Sequence, residues 1–136
     1  MNETLIQKIQ SSQRCILRSR DTYGRHQENF SHNYDAQDVA VLNLIRLCEM
    51  SIDIANYLIR RDKLGIPTSS AESFDLLQQA GRIDAETAKS MKAMVGFRNV
   101  AVHQYQDIDY EIVIEVIQND LQDIVNFLDQ IMEQES

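Results

Sequence analysis

The sequence predicts an all-α fold, an antiparallel bundle of about five helices. Its 136 residues include one proline and four glycines, too few for the many turns of a β-rich chain. Apolar residues recur at intervals of three and four, which is typical of amphipathic helices. No repeat or linker divides the chain, and its length suffices to bury a core. We therefore expect residues 1–136 to form a single helical domain.

The first predicted helix spans residues 3–33 and carries apolar or aromatic side chains at helical spacing. Gly24 falls inside it and permits a bend. Arg14, Arg18 and Arg25 share one side of this helix. An exposed cationic face and a strip that faces RNA both agree with that placement.

The second predicted helix spans residues 36–63, with Asp35 as its N-cap. Two apolar stripes cover much of its circumference, which places it centrally in the bundle. The remaining strip is polar and indicates either a solvent-exposed face with local ion pairs or the wall of a cleft or subunit interface. This polar strip consists of Arg46, Glu49, Asp53, Asn56 and Arg60.

A loop and a short third helix follow. Gly65 stops the second helix and Pro67 forbids its continuation. Ser69 and Glu72 have the spacing of a capping box, so the third helix starts there and runs to about Ala80.

The last two predicted helices have clear starts. Asp84 caps the fourth helix, and the fifth begins near Tyr110. An apolar seam follows the fifth helix at alternating intervals of three and four, which indicates core packing, or alternatively a zipper between chains. The seam residues are Ile114, Ile117, Leu121, Ile124, Leu128 and Ile131.

The charge distribution permits a nucleic-acid partner despite a net charge of −8. All 13 Lys and Arg residues lie in residues 1–98 together with 12 acids, whereas residues 99–136 hold 9 acids and no Lys or Arg. A surface outside the acidic C-terminal segment can therefore meet phosphates, and the acidic segment itself would suit a basic protein. The N-terminus lacks a signal-peptide pattern, and no apolar run reaches the ~20 residues of a membrane span. We expect a cytoplasmic protein with two reduced thiols, Cys15 and Cys48, and no membrane partner.

The segment "VGFRNVAVHQYQD", residues 95–107, places Arg98 in the middle of an apolar helix face. The residues within about 60° of Arg98 on the helical wheel are Met91, Met94, Val95, Ala101, Val102 and Tyr105. An arginine there requires a carboxylate, an interface or a ligand anion. Glu49 and Asp53 are the candidate carboxylates.

His103 lies about 140° around the same helix from Arg98, so the two side chains cannot meet on one regular helix. Two solutions agree with this spacing. The helix ends or distorts between Val100 and His103, or a second subunit brings its own Arg–His pair across a twofold axis. The second solution is a homodimer with a composite site.

The chemistry of these residues suits RNA cleavage without metal. Arginine matches phosphate geometry and stabilises a pentacovalent phosphate, and histidine transfers protons near neutral pH. The ribose 2′-hydroxyl is the nucleophile, so Arg98 and His103 suffice, with Asn99 holding the phosphate or a ribose. Neither a metal site nor a Gly-rich phosphate loop is predicted, so we expect no cofactor.

The motif "RNVAVHQY" resembles the R-x4–6-H pattern of HEPN domains. With its x-Tyr extension it resembles the HepT toxins of HEPN/MNT toxin–antitoxin systems, as do "LIRLCEMSIDIANYLIRR" and "SSAESFDLLQQAGRID". The resemblance implies an all-helical homodimer with a metal-independent RNase site in its interface cleft. Arg98 and His103 correspond to the catalytic pair, and Asn99 to the polar position after the arginine. The implied partner is a minimal nucleotidyltransferase antitoxin that transfers AMP from ATP to Tyr105.

The sequence therefore predicts a toxin that cleaves transfer RNA or messenger RNA and is neutralised by AMPylation of Tyr105. An alternative is a non-catalytic HEPN-type binding subunit of a nucleotidyltransferase complex. A third interpretation is a structural dimer module in which Arg98 forms only a salt bridge.

Overall fold

The computed structural model describes residues 1–135, apart from the side chain of Gln106, and this part of the chain is helical without strands. The predicted all-α fold is confirmed. Ser136, the last residue of the predicted domain, lies outside the described residues. The six α-helices are α1 (Glu3–Arg25), α2 (Tyr34–Asp62), α3 (Ser70–Gln79), α4 (Ala85–His103), α5 (Tyr110–Glu115) and α6 (Leu121–Glu135).

The first helix is shorter than predicted. It was expected over residues 3–33, but α1 ends at Arg25 and a 3₁₀-helix follows over Gln27–His32. This tighter segment brings Phe30 into the core, where its ring lies edge-on to Tyr23 at a centroid distance of 5.3 Å. The free energy gained by burying the Phe30 ring exceeds that of the helical hydrogen bonds that a continued α1 would make.

The N-cap of α2 also differs from the prediction. Asn33, and not Asp35, caps the helix: its Oδ1 accepts a hydrogen bond from the backbone N–H of Ala36 at 3.0 Å. Because the 3₁₀-helix ends at His32, Asn33 takes the N-cap position and α2 begins two residues earlier than expected.

The predicted caps of α3 and α4 are confirmed. Ser69 Oγ accepts from the N–H of Glu72 at 3.1 Å, and Asp84 Oδ1 accepts from the N–H of Thr87 at 2.8 Å. The capping box is incomplete, because the Glu72 carboxylate instead accepts a hydrogen bond from Thr68 at 2.7 Å.

The central helix of the bundle is α2, as predicted. It packs against α1, α3 and α4, and both of its apolar stripes contribute to the core. Both cysteines are free, and burial of Cys48 raises the pKa of its thiol to about 12. No helix within residues 1–135 is long and apolar enough to cross a membrane.

A π-helical turn over Val116–Asp120 joins α5 to α6. The predicted seam is buried from Ile117 onward, whereas Ile114 is only half-buried. The wider turn changes the phase of the helix, so Val113 takes the fully buried position before it. This shift keeps an apolar face on the core over the whole C-terminal segment.

Candidate active site

Three elements hold the Arg98 side chain, which is 19% exposed. Its Nη1 donates to Glu49 of α2 at 2.7 Å, its Nε donates to Asn99 at 3.0 Å, and its Nη2 lies 3.5 Å from Ser70 Oγ of α3. Glu49, and not Asp53, is therefore the carboxylate partner. A guanidinium has five N–H donors, so these contacts fix its plane and leave donors for an anion.

The predicted apolar face of α4 around Arg98 is buried only in part. Val102 and Tyr105 were expected on this face, but they are 49% and 41% exposed. Tyr105 is exposed because α4 ends at His103 and a 3₁₀-turn over Tyr105–Asp107 carries the tyrosine out of helical phase, whereas Val102 is still inside α4. The face residues that are buried are Met91, Met94, Val95 and Ala101.

His103 is the last residue of α4, and its side chain is exposed. The helix stays regular up to it, because the N–H of Gln104 still donates to the carbonyl of Val100 at 2.8 Å. The end of α4 at His103 falls inside the interval of the first predicted solution, but the helix is not distorted before that residue, and the second solution stays a prediction. Within one protomer the two side chains lie on different sides of α4, about 140° apart.

Tyr105 lies at the rim of an apolar groove of about 410 Å³ between α2 and the end of α4. Burial first, and then the neighbouring Asp38 carboxylate, raises the pKa of Tyr105. A phenol whose pKa is raised above its usual value of about 10 stays protonated at neutral pH. The other groove residues are Val39, Leu42, Ile45, Ala101 and Val102.

The polar strip of α2 forms the wall of a cleft only in part. Glu49 pairs with Arg98 of α4, and Asn56 Oδ1 accepts from Ser73 of α3 at 2.6 Å. Among the described side chains, no ion pair joins two members of the strip. Four of the five strip residues are exposed, and the strip forms a cleft wall only where Glu49 and Asn56 contact α4 and α3.

Sequence reasoning missed two of these residues. Ser70 approaches Arg98 from α3, and Asp38 lines the groove beside Tyr105. Both contacts join elements far apart in the chain, and no periodicity or spacing signals them. Nowhere in residues 1–135, the Gln106 side chain aside, do three His, Cys, Asp or Glu side chains gather as metal ligands would.

A family profile described as ribonuclease HepT-like matches residues 12–131. The chain belongs to this family. This HepT-like chain is 44% identical over 129 residues to the mRNA nuclease HepT of Shewanella oneidensis, covering 95% of this chain and 96% of that protein. The family predicted from the motif around Arg98 is thereby confirmed.

Two solved structures are similar to the HepT-like chain over nearly its whole length. One is a tri-AMPylated Shewanella oneidensis HEPN toxin in complex with an MNT antitoxin. It has a TM-score of 0.91 and 44% identity, and the match covers 98% of this chain and 99% of that one. The other is a toxin–antitoxin crystal structure with AMP-PNP, with a TM-score of 0.91, 42% identity and coverage of 97% and 99%. The predicted toxin function is confirmed by these relatives at the level of the family.

Proposed function

We propose that this chain is the ribonuclease toxin of a toxin–antitoxin pair and acts as a homodimer with a composite Arg98–His103 site. The observation that carries the proposal is the Arg98 guanidinium, which Glu49 and Asn99 hold in place while donors remain for a phosphate. The relative named as an mRNA nuclease supports messenger RNA as the substrate, with transfer RNA as the second candidate. We also propose that residues 1–136 form one domain that acts in the cytoplasm.

In the proposed reaction the ribose 2′-hydroxyl of the substrate is the nucleophile, so the protein needs no nucleophilic side chain, and Arg98 and His103 act without a metal ion. His103 takes the proton from the ribose 2′-hydroxyl, and that oxygen forms a bond to phosphorus. The bond from phosphorus to the 5′-oxygen breaks, and the partner's His103 gives that oxygen a proton. The products are a 2′,3′-cyclic phosphate and a 5′-hydroxyl. Arg98 stabilises the extra negative charge of the pentacovalent phosphate between these steps.

Asn99 has a positioning role in this arrangement. Its Oδ1 accepts from Arg98 Nε, which orients the guanidinium, while its amide group stays available for the phosphate or a ribose. Ser70 adds a hydroxyl on the α3 side of the same guanidinium.

A second copy of the chain completes the site. Arg98 and His103 lie about 140° apart around α4 of one protomer, so a second copy that brings its own pair across a twofold axis would gather both pairs in one cleft. The apolar groove beside Tyr105 supplies a surface for that contact, since Val39, Leu42 and Val102 are each between 44% and 49% exposed. Clustered exposed apolar side chains are typical of a protein interface.

We expect Leu42→Glu to convert the dimer into monomers and to abolish RNA cleavage, because it places a charge in the apolar contact. Size-exclusion chromatography with light scattering measures the first effect, and a cleavage assay measures the second. Ile112→Glu is the control, because Ile112 is 46% exposed but lies outside the groove. A Leu42→Glu monomer that cleaves RNA at the wild-type rate would contradict the composite site.

The antitoxin blocks the site through Tyr105. The tyrosine oxygen attacks the α-phosphorus of ATP, the bond to pyrophosphate breaks, and the phenolic proton leaves to a base. Support comes from the exposure of Tyr105, the Asp38 carboxylate in the same groove and the tri-AMPylated relative. The product places phosphate charge and an adenosine two residues from His103, where they compete with RNA for the cleft.

A further inference from the structure

A cationic groove lies between α1 and α2, next to the proposed active site. Arg14 and Arg18 of α1 and Arg46 of α2 line it, and its volume is about 610 Å³. A second groove of about 540 Å³, lined by Lys8 and Arg60, continues it along the same two helices. Asp53 lines both. We call the two together the α1/α2 track.

The cations of the track are not paired with carboxylates. Lys8, Arg14, Arg18, Arg46 and Arg60 form no ion pair with any side chain that the structure describes. Arg14 donates only to Ser11 Oγ, at 2.9 Å. The cations elsewhere that do pair with carboxylates are Arg25, Arg61, Arg82, Lys92 and Arg98.

The carboxylates of the track do not balance these charges. Glu49 is already bound to Arg98, which leaves Asp53 as the carboxylate without an ion-pair partner in the described residues. Five cations against one such carboxylate give a strongly positive surface on a chain whose net charge is −8. An extended anion is the ligand that such a surface attracts.

The shape of the track fits a single nucleic-acid strand. Arg46 and Arg60 are 14 residues apart on α2, which corresponds to roughly 21 Å at 1.5 Å per residue, long enough for several phosphates. Leu17, Ile45 and Met50 add apolar surface between the charged rims, against which bases can pack. Glu49 joins the track to the Arg98 guanidinium, so the two surfaces are continuous.

We propose that the α1/α2 track binds the phosphate backbone of the RNA substrate and leads the strand to the scissile phosphate at Arg98. This inference rests on the proposed ribonuclease function, which it extends with a path for the substrate. The track carries no reacting group. It would set how long an RNA must be for tight binding.

The test compares the variant R14Q/R46Q with the control R20Q/K89Q, which removes the same charge from other exposed surfaces. The probe is a 2′-O-methyl oligonucleotide of about 20 nucleotides, which cannot be cleaved and is long enough to fill the track. Binding is measured by fluorescence anisotropy over a series of salt concentrations, in EDTA. Cleavage of an unmodified dinucleotide, too short to reach the track, is measured in parallel.

We expect R14Q/R46Q to bind the oligonucleotide roughly tenfold more weakly, with a log–log salt slope shallower by about 1.4. The control variant and dinucleotide cleavage should match wild type. Equal salt slopes for the two variants would overturn the proposal. So would a groove variant that keeps its RNA affinity but loses dimerisation or antitoxin binding, which would make the track a protein interface.

Failure of the track and failure of the ribonuclease function give different results. If wild type binds the oligonucleotide through Arg14 and Arg46 but cleaves no RNA, the track stands and the enzymatic proposal falls. If wild type cleaves RNA but the two variants bind the oligonucleotide with equal salt slopes, the ribonuclease function stands and the track falls.

Discussion

His103→Ala is expected to lower the single-turnover rate of RNA cleavage by at least about 100-fold, because removal of a general acid or base typically costs 10²- to 10⁴-fold. The side chain is exposed at the end of α4, so its loss should leave the fold intact. The measurement is cleavage of a defined RNA in EDTA, with circular dichroism and thermal unfolding to check the fold. His32→Ala is the control, since His32 is also exposed but lies in the 3₁₀-helix after α1.

The variant Arg98→Lys tests whether the guanidinium itself, and not only its positive charge, is needed for cleavage. Lysine keeps the charge but lacks the planar fork that Glu49 and Asn99 orient, so we expect a loss of roughly 10²-fold. If Arg98 formed only a structural salt bridge, the substitution would change stability and leave the rate unchanged. Full activity in both His103→Ala and Arg98→Lys would mean that this site does not cleave RNA.

Tyr105→Phe is expected to abolish the gain in mass that the antitoxin and ATP produce on the wild-type chain. The variant retains the ring in the groove and loses only the oxygen that accepts AMP. Its nuclease activity should therefore persist in the presence of antitoxin and ATP. Intact-mass spectrometry, followed by the cleavage assay on the same samples, measures both effects.

Tyr34→Phe is the matched control for this experiment, because Tyr34 is 71% exposed and lies at the start of α2. It should be modified as wild type is. An unchanged mass of wild type after incubation with active antitoxin, or AMP found on Tyr105→Phe, would contradict the assigned acceptor.

The spacing of apolar residues and the helix-capping residues predicted most of the architecture. The spacing of apolar residues gave five helices in the right order, and the side chains of Ser69 and Asp84 marked two helix starts. The break after Arg25 was missed, because burial of Phe30 in the core decides it and the pattern on either side still reads as helix. The π-turn at Val116–Asp120 was missed for a similar reason, since the seam is periodic on both sides of it.

The partner of Arg98 was predictable, because the position of the arginine on the helical wheel already required a counter-charge. An arginine on an apolar face demands a carboxylate, and Glu49 was one of two candidates. The exposure of Tyr105 was not predictable, because it depends on where α4 ends. The positions of Ser70 near Arg98 and of Asp38 near Tyr105 depend on how helices far apart in the sequence pack together. Helical periodicity does not predict this packing.

We propose that Arg98 and His103 cleave RNA through the 2′-hydroxyl without a metal ion. Analysis of the product ends after cleavage by the purified wild-type chain in EDTA tests it most directly. We predict 2′,3′-cyclic phosphate or 3′-phosphate ends together with 5′-hydroxyl ends. Products with 5′-phosphate ends, activity that EDTA abolishes, or no cleavage by a folded chain free of AMP would contradict it. The last result would favour a non-catalytic binding subunit.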